Sequence, residues 1–126
     1  MRRQLFSGSL DRRYKPAARA VVRRLRAAPR KLNDVARLVR GLPVASALSV
    51  LRVSRRRLAL DVKKALVSAV ANAENNQGVD AGGLYVVEAT VGREMVMKRL
   101  DIKGRSRAGR IEKPFSSLRL VVGEVA

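Results

Sequence analysis

MKRLDIKGRSRAGRIEKP, residues 97–114, carries Lys98, Arg99, Lys103, Arg105, Arg107, Arg110 and Lys113 against the two acids Asp101 and Glu112. A segment so charged cannot form a core. Gly104 and Gly109 bracket Arg105 to Ala108, and strand-like residues flank the stretch, so the predicted shape is a β-hairpin over about residues 95–118. At ~3.3 Å per residue, about eight residues per arm reach roughly 26 Å. The stretch reads as having no apolar face toward its tip, so it gains little from packing on its own domain and needs a polyanion to lie against. The alternative on composition alone is a mobile basic loop.

Outward from the hairpin the pattern is β on both sides. LYVVEATV (84–91), MVMKRLDI (95–102) and SLRLVVGEV (117–125) read as strands, and in the last of these Leu118, Leu120 and Val122 alternate with Arg119 and Val121, as expected when one face is buried. Met95 and Met97 read as sheet packing. Before Gly82-Gly83 the period changes to helical. Leu32, Val35, Ala36 and Val39 fall at i, i+3, i+4, i+7 between Pro29 and Gly41, which predicts a short amphipathic helix; Val44, Ala47, Leu48 and Leu51 repeat the spacing after Pro43. Ser54 is the predicted cap of a longer third helix whose stripe is Leu58, Val62, Ala65, Leu66, Ala69, Val70 and Ala73, ending near Gly78. Further upstream, AARAVVRRLRA (17–27) reads as an edge strand, and residues 1–17 as a flexible basic extension.

The resulting expectation is an α+β fold: three helices packed on one face of a small antiparallel sheet, with a long protruding basic β-hairpin. Residues 18–126 form one domain, a size that suits a single core. Hydrophobic residues make up 47 % of the chain and aromatics 3 %, so that core is built from Leu, Val, Ile and Ala.

The 28 Lys and Arg against 10 Asp and Glu give a formal charge of +18, and 21 of the 28 are Arg. Such an excess repels itself in isolation. The guanidinium fork grips phosphate oxygens with two hydrogen bonds and stacks on bases, so the bias toward Arg points to nucleic acid. The chain has no Cys and no His, which removes disulfides, thiol nucleophiles, Ser-His-Asp triads and the common zinc sites. No two carboxylates lie closer than six residues, and neither GxGxxG nor GxxxxGK[ST] occurs. An enzyme is therefore not expected, nor a metal or cofactor. No apolar run approaches the ~18 residues that cross a bilayer, and MRRQLFSGSL lacks a secretory apolar block, so no membrane partner is expected. The Arg-rich, acid-poor opening also fits an organellar transit peptide.

Within the third helix, SAVANAENNQG (68–78) brings Asn72, Asn75 and Asn76 onto neighbouring faces, where amides can donate to phosphates or 2′-hydroxyls and accept from bases. Helix capping accounts for Asn76 and Gly78 about as well. Lys63 and Lys64 fit an RNA contact or a solvated face. Arg55, Arg56 and Arg57 at a helix start oppose the helix dipole, and a local anion would relieve that opposition.

RKLNDVARLVRG (30–41), DVKKALVSAVANAENN (61–76) and VMKRLDIKGRSRAGRIEKPFSSLRLVV (96–122), in this order and spacing, resemble the bacterial type of the large-subunit ribosomal protein twenty-two family. The likeness extends over roughly Ala18 to Val125. It implies a small α+β body with a long hairpin, binding of large-subunit ribosomal RNA during assembly, neighbouring ribosomal proteins as partners, and a place in a cytoplasmic ribosome. By position it marks Lys31, Arg37, Arg40, Lys63, Lys64, Asn72, Asn75 and Asn76 as RNA contacts of the body. Lys98, Arg99, Lys103, Arg105, Arg107, Arg110 and Lys113 are the implied hairpin contacts, and Arg105, Ser106 and Arg107 form a tip beside the nascent polypeptide in the exit tunnel. Two positions depart from the family: Ala28 stands where a capping serine is common and Ser106 where the tip often has glycine, so Gly104 and Gly109 are expected to supply the turn's backbone freedom. The rival reading, a DNA-architectural protein with basic β-arms, wants an apolar wedge at the tip that Arg105-Ser106-Arg107 does not offer. An RNA-processing enzyme lacks a proton shuttle.

Overall fold

The computed structural model describes residues 14–125. The chain runs through β1 (Tyr14–Leu25), α1 (Pro29–Val39), α2 (Val44–Val53), α3 (Leu58–Gln77), one 3₁₀ turn (Ala81–Gly83), β2 (Tyr85–Ile102) and β3 (Ala108–Val125). The sheet is antiparallel throughout, in the order β1-β3-β2, and the helices cover one face of it. This is the expected α+β fold.

The apolar stripes set which helix faces are inward. Leu32, Val35, Ala36 and Val39 of α1 are all buried. So are Val44, Ala47 and Leu51 of α2, while Leu48 is only partly covered. On α3 the stripe of Leu58, Ala59, Val62, Ala65, Leu66, Ala69 and Ala73 is buried and Val70 lies at its margin. These side chains meet Leu118, Leu120 and Val122 of β3 and Val86 and Ala89 of β2 in one aliphatic core without an aromatic ring. Each fully buried Leu or Val contributes about 1.5–3 kcal/mol of transfer free energy, which offsets the entropy lost on ordering. At the end of α3, Gly78 takes the left-handed conformation (φ 65°) and its N–H donates to the Glu74 carbonyl at 3.1 Å.

Four local expectations change. Ser54 closes α2, its N–H donating to the Val50 carbonyl at 3.1 Å, and α3 starts only at Leu58. The strand predicted over 17–27 begins at Tyr14, so residues 14–17 belong to the sheet: Tyr14 pairs with Val125 and its ring lies 5.4 Å from that of Tyr85. The strand pairing and the contact between the two half-buried rings hold these residues in the sheet. Its remainder, residues 1–13, lies outside the described residues. The segments 84–91 and 95–102, read as two strands, are one continuous β2, and the irregularity between Arg93 and Met95 is a bulge that bends the strand without ending it. The fourth change concerns the hairpin tip.

The hairpin leaves the body where β1 stops. The last partner of β1 is Leu25↔Ser116; beyond it only β2 and β3 continue, from Met95↔Phe115 to Ile102↔Ala108. The Gly104 carbonyl accepts from the Arg107 N–H at 3.3 Å, and the two central residues, Arg105 (φ 59°) and Ser106 (φ 57°), both have positive φ, as a type I′ turn demands. Gly104 and Gly109 do not take positive φ, so the freedom expected of them is required instead of two residues with side chains. The turn's twist must match the strands on either side, and only its two central positions can supply that. The β2 edge in the body is covered by the α1–α2 connection: Gly41 N–H donates to the Val86 carbonyl (2.8 Å), Val86 N–H to Leu42 (2.9 Å) and Val44 N–H to Leu84 (3.0 Å).

Candidate nucleic-acid interface

Alternation along the two strands sorts the hairpin side chains. Paired residues share a face, so Arg99 and Lys113 lie on one side with Met97 and Ile111, and Lys98 and Arg110 lie on the other with Leu100, Ile102 and Ala108. All seven hairpin cations named from the sequence are exposed. Their presence on both faces suits an arm inserted between two polyanionic walls better than one laid on a single surface. Asp101 is engaged locally, 3.6 Å from the Lys103 ammonium. Leu100, Ile102 and Ala108 do make an apolar face near the tip, which corrects the expectation that none exists; Leu100 is 70 % and Ile102 83 % exposed, and among the described residues nothing buries them.

At the hairpin root the structure gathers cations that sequence spacing keeps apart. A cleft of about 240 Å³ is lined by Arg26, Ala27, Ala28, Lys31, Arg57, Leu58 and Pro114. Arg26 Nη1 donates to the Pro114 carbonyl at 3.1 Å and its guanidinium carbon lies 5.7 Å from the centre of the Phe115 ring; Arg57 Nη2 donates to the Arg26 carbonyl at 3.3 Å. Backbone carbonyls thus hold two guanidiniums in place while leaving donors over, and among the described residues no carboxylate lines the cleft. Lys31 was expected here; Arg26 and Arg57 were not assigned. The one signal for Arg57 was the Arg55-Arg56-Arg57 run against the helix dipole. Part of the anion it calls for is internal, since Arg56 lies 3.8 Å from Asp34 of α1.

The remaining residues assigned from the sequence separate into exposed and internally bound. Arg37, Lys64, Asn75 and Asn76 are exposed, and Lys63 is half-buried on the outer side of α3. Asn72 Nδ2 donates to the Arg19 carbonyl at 3.2 Å, joining α3 to β1. Arg40 is tied inward: Nε donates to the Ala89 carbonyl at 2.6 Å and Nη2 to Asn33 Oδ1 at 2.8 Å. Burial, and then the neighbouring Arg37 charge, lower the Arg40 pKa from its ordinary value, with Glu88 acting in the opposite sense. On the sheet face away from the helices, Arg19 of β1 and Arg119 of β3 line a depression of about 320 Å³ together with Glu88 and Val121. Among the described residues no helix is long and apolar enough to cross a membrane, and no three His, Cys, Asp or Glu converge as metal ligands.

Residues 20–123 match the profile of the family described as "Ribosomal protein L22p/L17e". The chain belongs to that family. It is 57 % identical over 108 residues to the large ribosomal subunit protein uL22 of Beijerinckia indica, covering 86 % of this chain and 84 % of the relative. The uL22 protein of Brucella suis is 57 % identical over 109 residues, and that of Rhodopseudomonas palustris 56 % over 108, each with the same coverage. This family member is a structural ribosomal protein of bacterial type and not an enzyme. The two-stranded arm and the basic root cleft are accordingly parts of a ribosomal L22p/L17e body.

Proposed function

We propose that the protein binds large-subunit ribosomal RNA during assembly, with its body fixed on RNA through the root cleft and exposed cations, and that its hairpin passes between RNA segments to line the polypeptide exit tunnel. The observation that carries this reading is the arm itself: seven exposed cations on both faces and at the turn of a two-stranded ribbon that, among the described residues, has no third strand and no helix behind it. An isolated two-stranded ribbon is marginal in water, and phosphate contacts on both sides would order it while releasing counterions. In the body, Arg26, Lys31 and Arg57 form a preorganised phosphate clasp, and Arg37, Asn75 and Asn76 are available at the surface. At the tip, Arg105, Ser106 and Arg107 face the nascent chain. Family membership and the uL22 relatives support the assignment to the large subunit and the cytoplasmic ribosome.

The test is binding of the isolated chain to large-subunit RNA across a salt series. If ~5 to 8 phosphates are neutralised, affinity should fall by several powers of ten per decade of salt. A flat response, or tighter binding to duplex DNA, overturns the RNA reading. The tunnel part is tested separately by crosslinking from a stalled nascent chain to position 106: a tip that never crosslinks in active ribosomes removes that role.

A further inference from the structure

We propose that the groove between α2 and α3 is the docking site for an acidic, aliphatic-bearing segment of a neighbouring protein of the large subunit; this rests on the ribosomal placement proposed above. Two depressions meet there. One, of about 300 Å³, is lined by Leu60, Lys63, Lys64 and Val67; the other, of about 220 Å³, shares Lys63 and Val67 and adds Leu48, Ser49 and Arg52. The inward stripe of α3 is already buried, yet Leu60 and Val67, seven residues apart and so on one outer face, remain 63 % and 50 % exposed. Together with Leu48 across the groove they form a contiguous apolar floor rimmed by polar residues, the pattern of an interaction site.

The chemistry of the groove separates protein from RNA. Phosphate and sugar edges are met by hydrogen-bond donors, and bases by aromatic or guanidinium planes. The aliphatic floor of Leu48, Leu60 and Val67 supplies neither, no aromatic ring lines either depression, and the donors present are Ser49 and the cations Arg52, Lys63 and Lys64. Covering Leu60 and Val67 is favourable when the occupant brings aliphatic surface of its own. The rim then selects for charge: Arg52, Lys63 and Lys64 surround the apolar floor with no carboxylate among the lining residues, so the complementary segment is acidic. In this arrangement Lys63 and Lys64 belong to a protein interface and not to the RNA-binding surface.

The test places a photoreactive benzoylphenylalanine at position 67 of the full chain and incorporates it into large subunits. Irradiation should give an adduct that survives ribonuclease and maps to a protein segment with Asp or Glu beside Leu, Ile or Val. In the same chain, Lys63→Glu with Lys64→Glu should lower the crosslink yield about tenfold or more by like-charge repulsion. A chain that enters subunits but crosslinks to RNA, or gives no adduct, overturns the docking site while leaving the ribosomal reading in place. An unchanged yield in the double variant overturns the acidic occupant. A chain that does not enter subunits at all removes both.

Discussion

The hydroxyl of Ser116, fully buried, donates a 2.6 Å hydrogen bond to the carbonyl of Ala27 across 89 residues of sequence. It ties the point where β3 passes from the hairpin into the body to the link between β1 and α1, one residue from the Arg26–Phe115 contact. Ser116→Ala strips this donor from a buried carbonyl and is expected to destabilise the protein by about 1–3 kcal/mol. Urea unfolding followed by circular dichroism measures it; an unchanged midpoint would mean that the bond contributes nothing net.

Arg37 in the last turn of α1 and Arg40, the extended residue that caps it, should behave oppositely. Arg40 holds the Ala89 carbonyl and Asn33, so Arg40→Ala is expected to cost about 1–3 kcal/mol of stability, and Arg40→Lys nearly as much because an ammonium cannot span both acceptors. Arg37→Ala should stay within about 0.5 kcal/mol of the parent and instead weaken RNA binding and lower its salt slope by roughly one. Thermal melts and salt-dependent binding on both variants separate the roles.

No residue between 99 and 112 belongs to the core, so replacing that stretch with a short turn should leave helix content and cooperative unfolding intact. Leu66→Asp places an unpaired charge at a fully buried position and should cost on the order of 3 kcal/mol or more. The division into body and arm fails if calorimetry finds the deletion unfolded and Leu66→Asp silent.

Ser106 holds a positive φ that glycine adopts without penalty, at a saving of roughly 1–2 kcal/mol per residue relieved. Ser106→Gly should therefore slow hydrogen exchange at the Arg107 amide about fivefold or more, since that amide closes the turn, and raise the melting temperature by about a few degrees at most. Equal exchange rates in parent and variant would contradict the turn geometry.

Reversing the tip charges isolates docking of the arm from docking of the body. With Arg105→Glu and Arg107→Glu, like-charge repulsion against phosphate should release the tip while co-sedimentation with large subunits persists. A ribosome structure of the double variant should retain density for the body and lose it at the turn; loss of incorporation altogether would mean that the tip is needed for assembly.

The amino-acid sequence alone determined those features that depend on local repetition. The 3.6-residue spacing of Leu32, Val35, Ala36 and Val39, and of Leu58 through Ala73, specified the helices and their buried faces; the alternation at 118–122 specified a strand with Leu118, Leu120 and Val122 inward, although Val121 on the opposite face is buried as well; and the charge of 97–114 barred that segment from any core. What it did not contain is which distant groups meet. The order β1-β3-β2 puts β3 in the centre, and it is this packing that brings Arg26 to Pro114 across 88 residues, Arg40 to Ala89 across 49 and Asn72 to Arg19 across 53. An arginine destined for phosphate and one destined for a buried carbonyl look alike in a sequence, because the same N–H donors serve both. Only the tertiary structure decided that Arg40 and Asn72 are committed inward while Arg26 and Arg57 converge on Lys31. The same holds for Ser54, an N-cap residue by its side chain: here its backbone N–H closes α2 on the Val50 carbonyl and its hydroxyl accepts from the Arg56 N–H at 3.4 Å in the link that precedes α3.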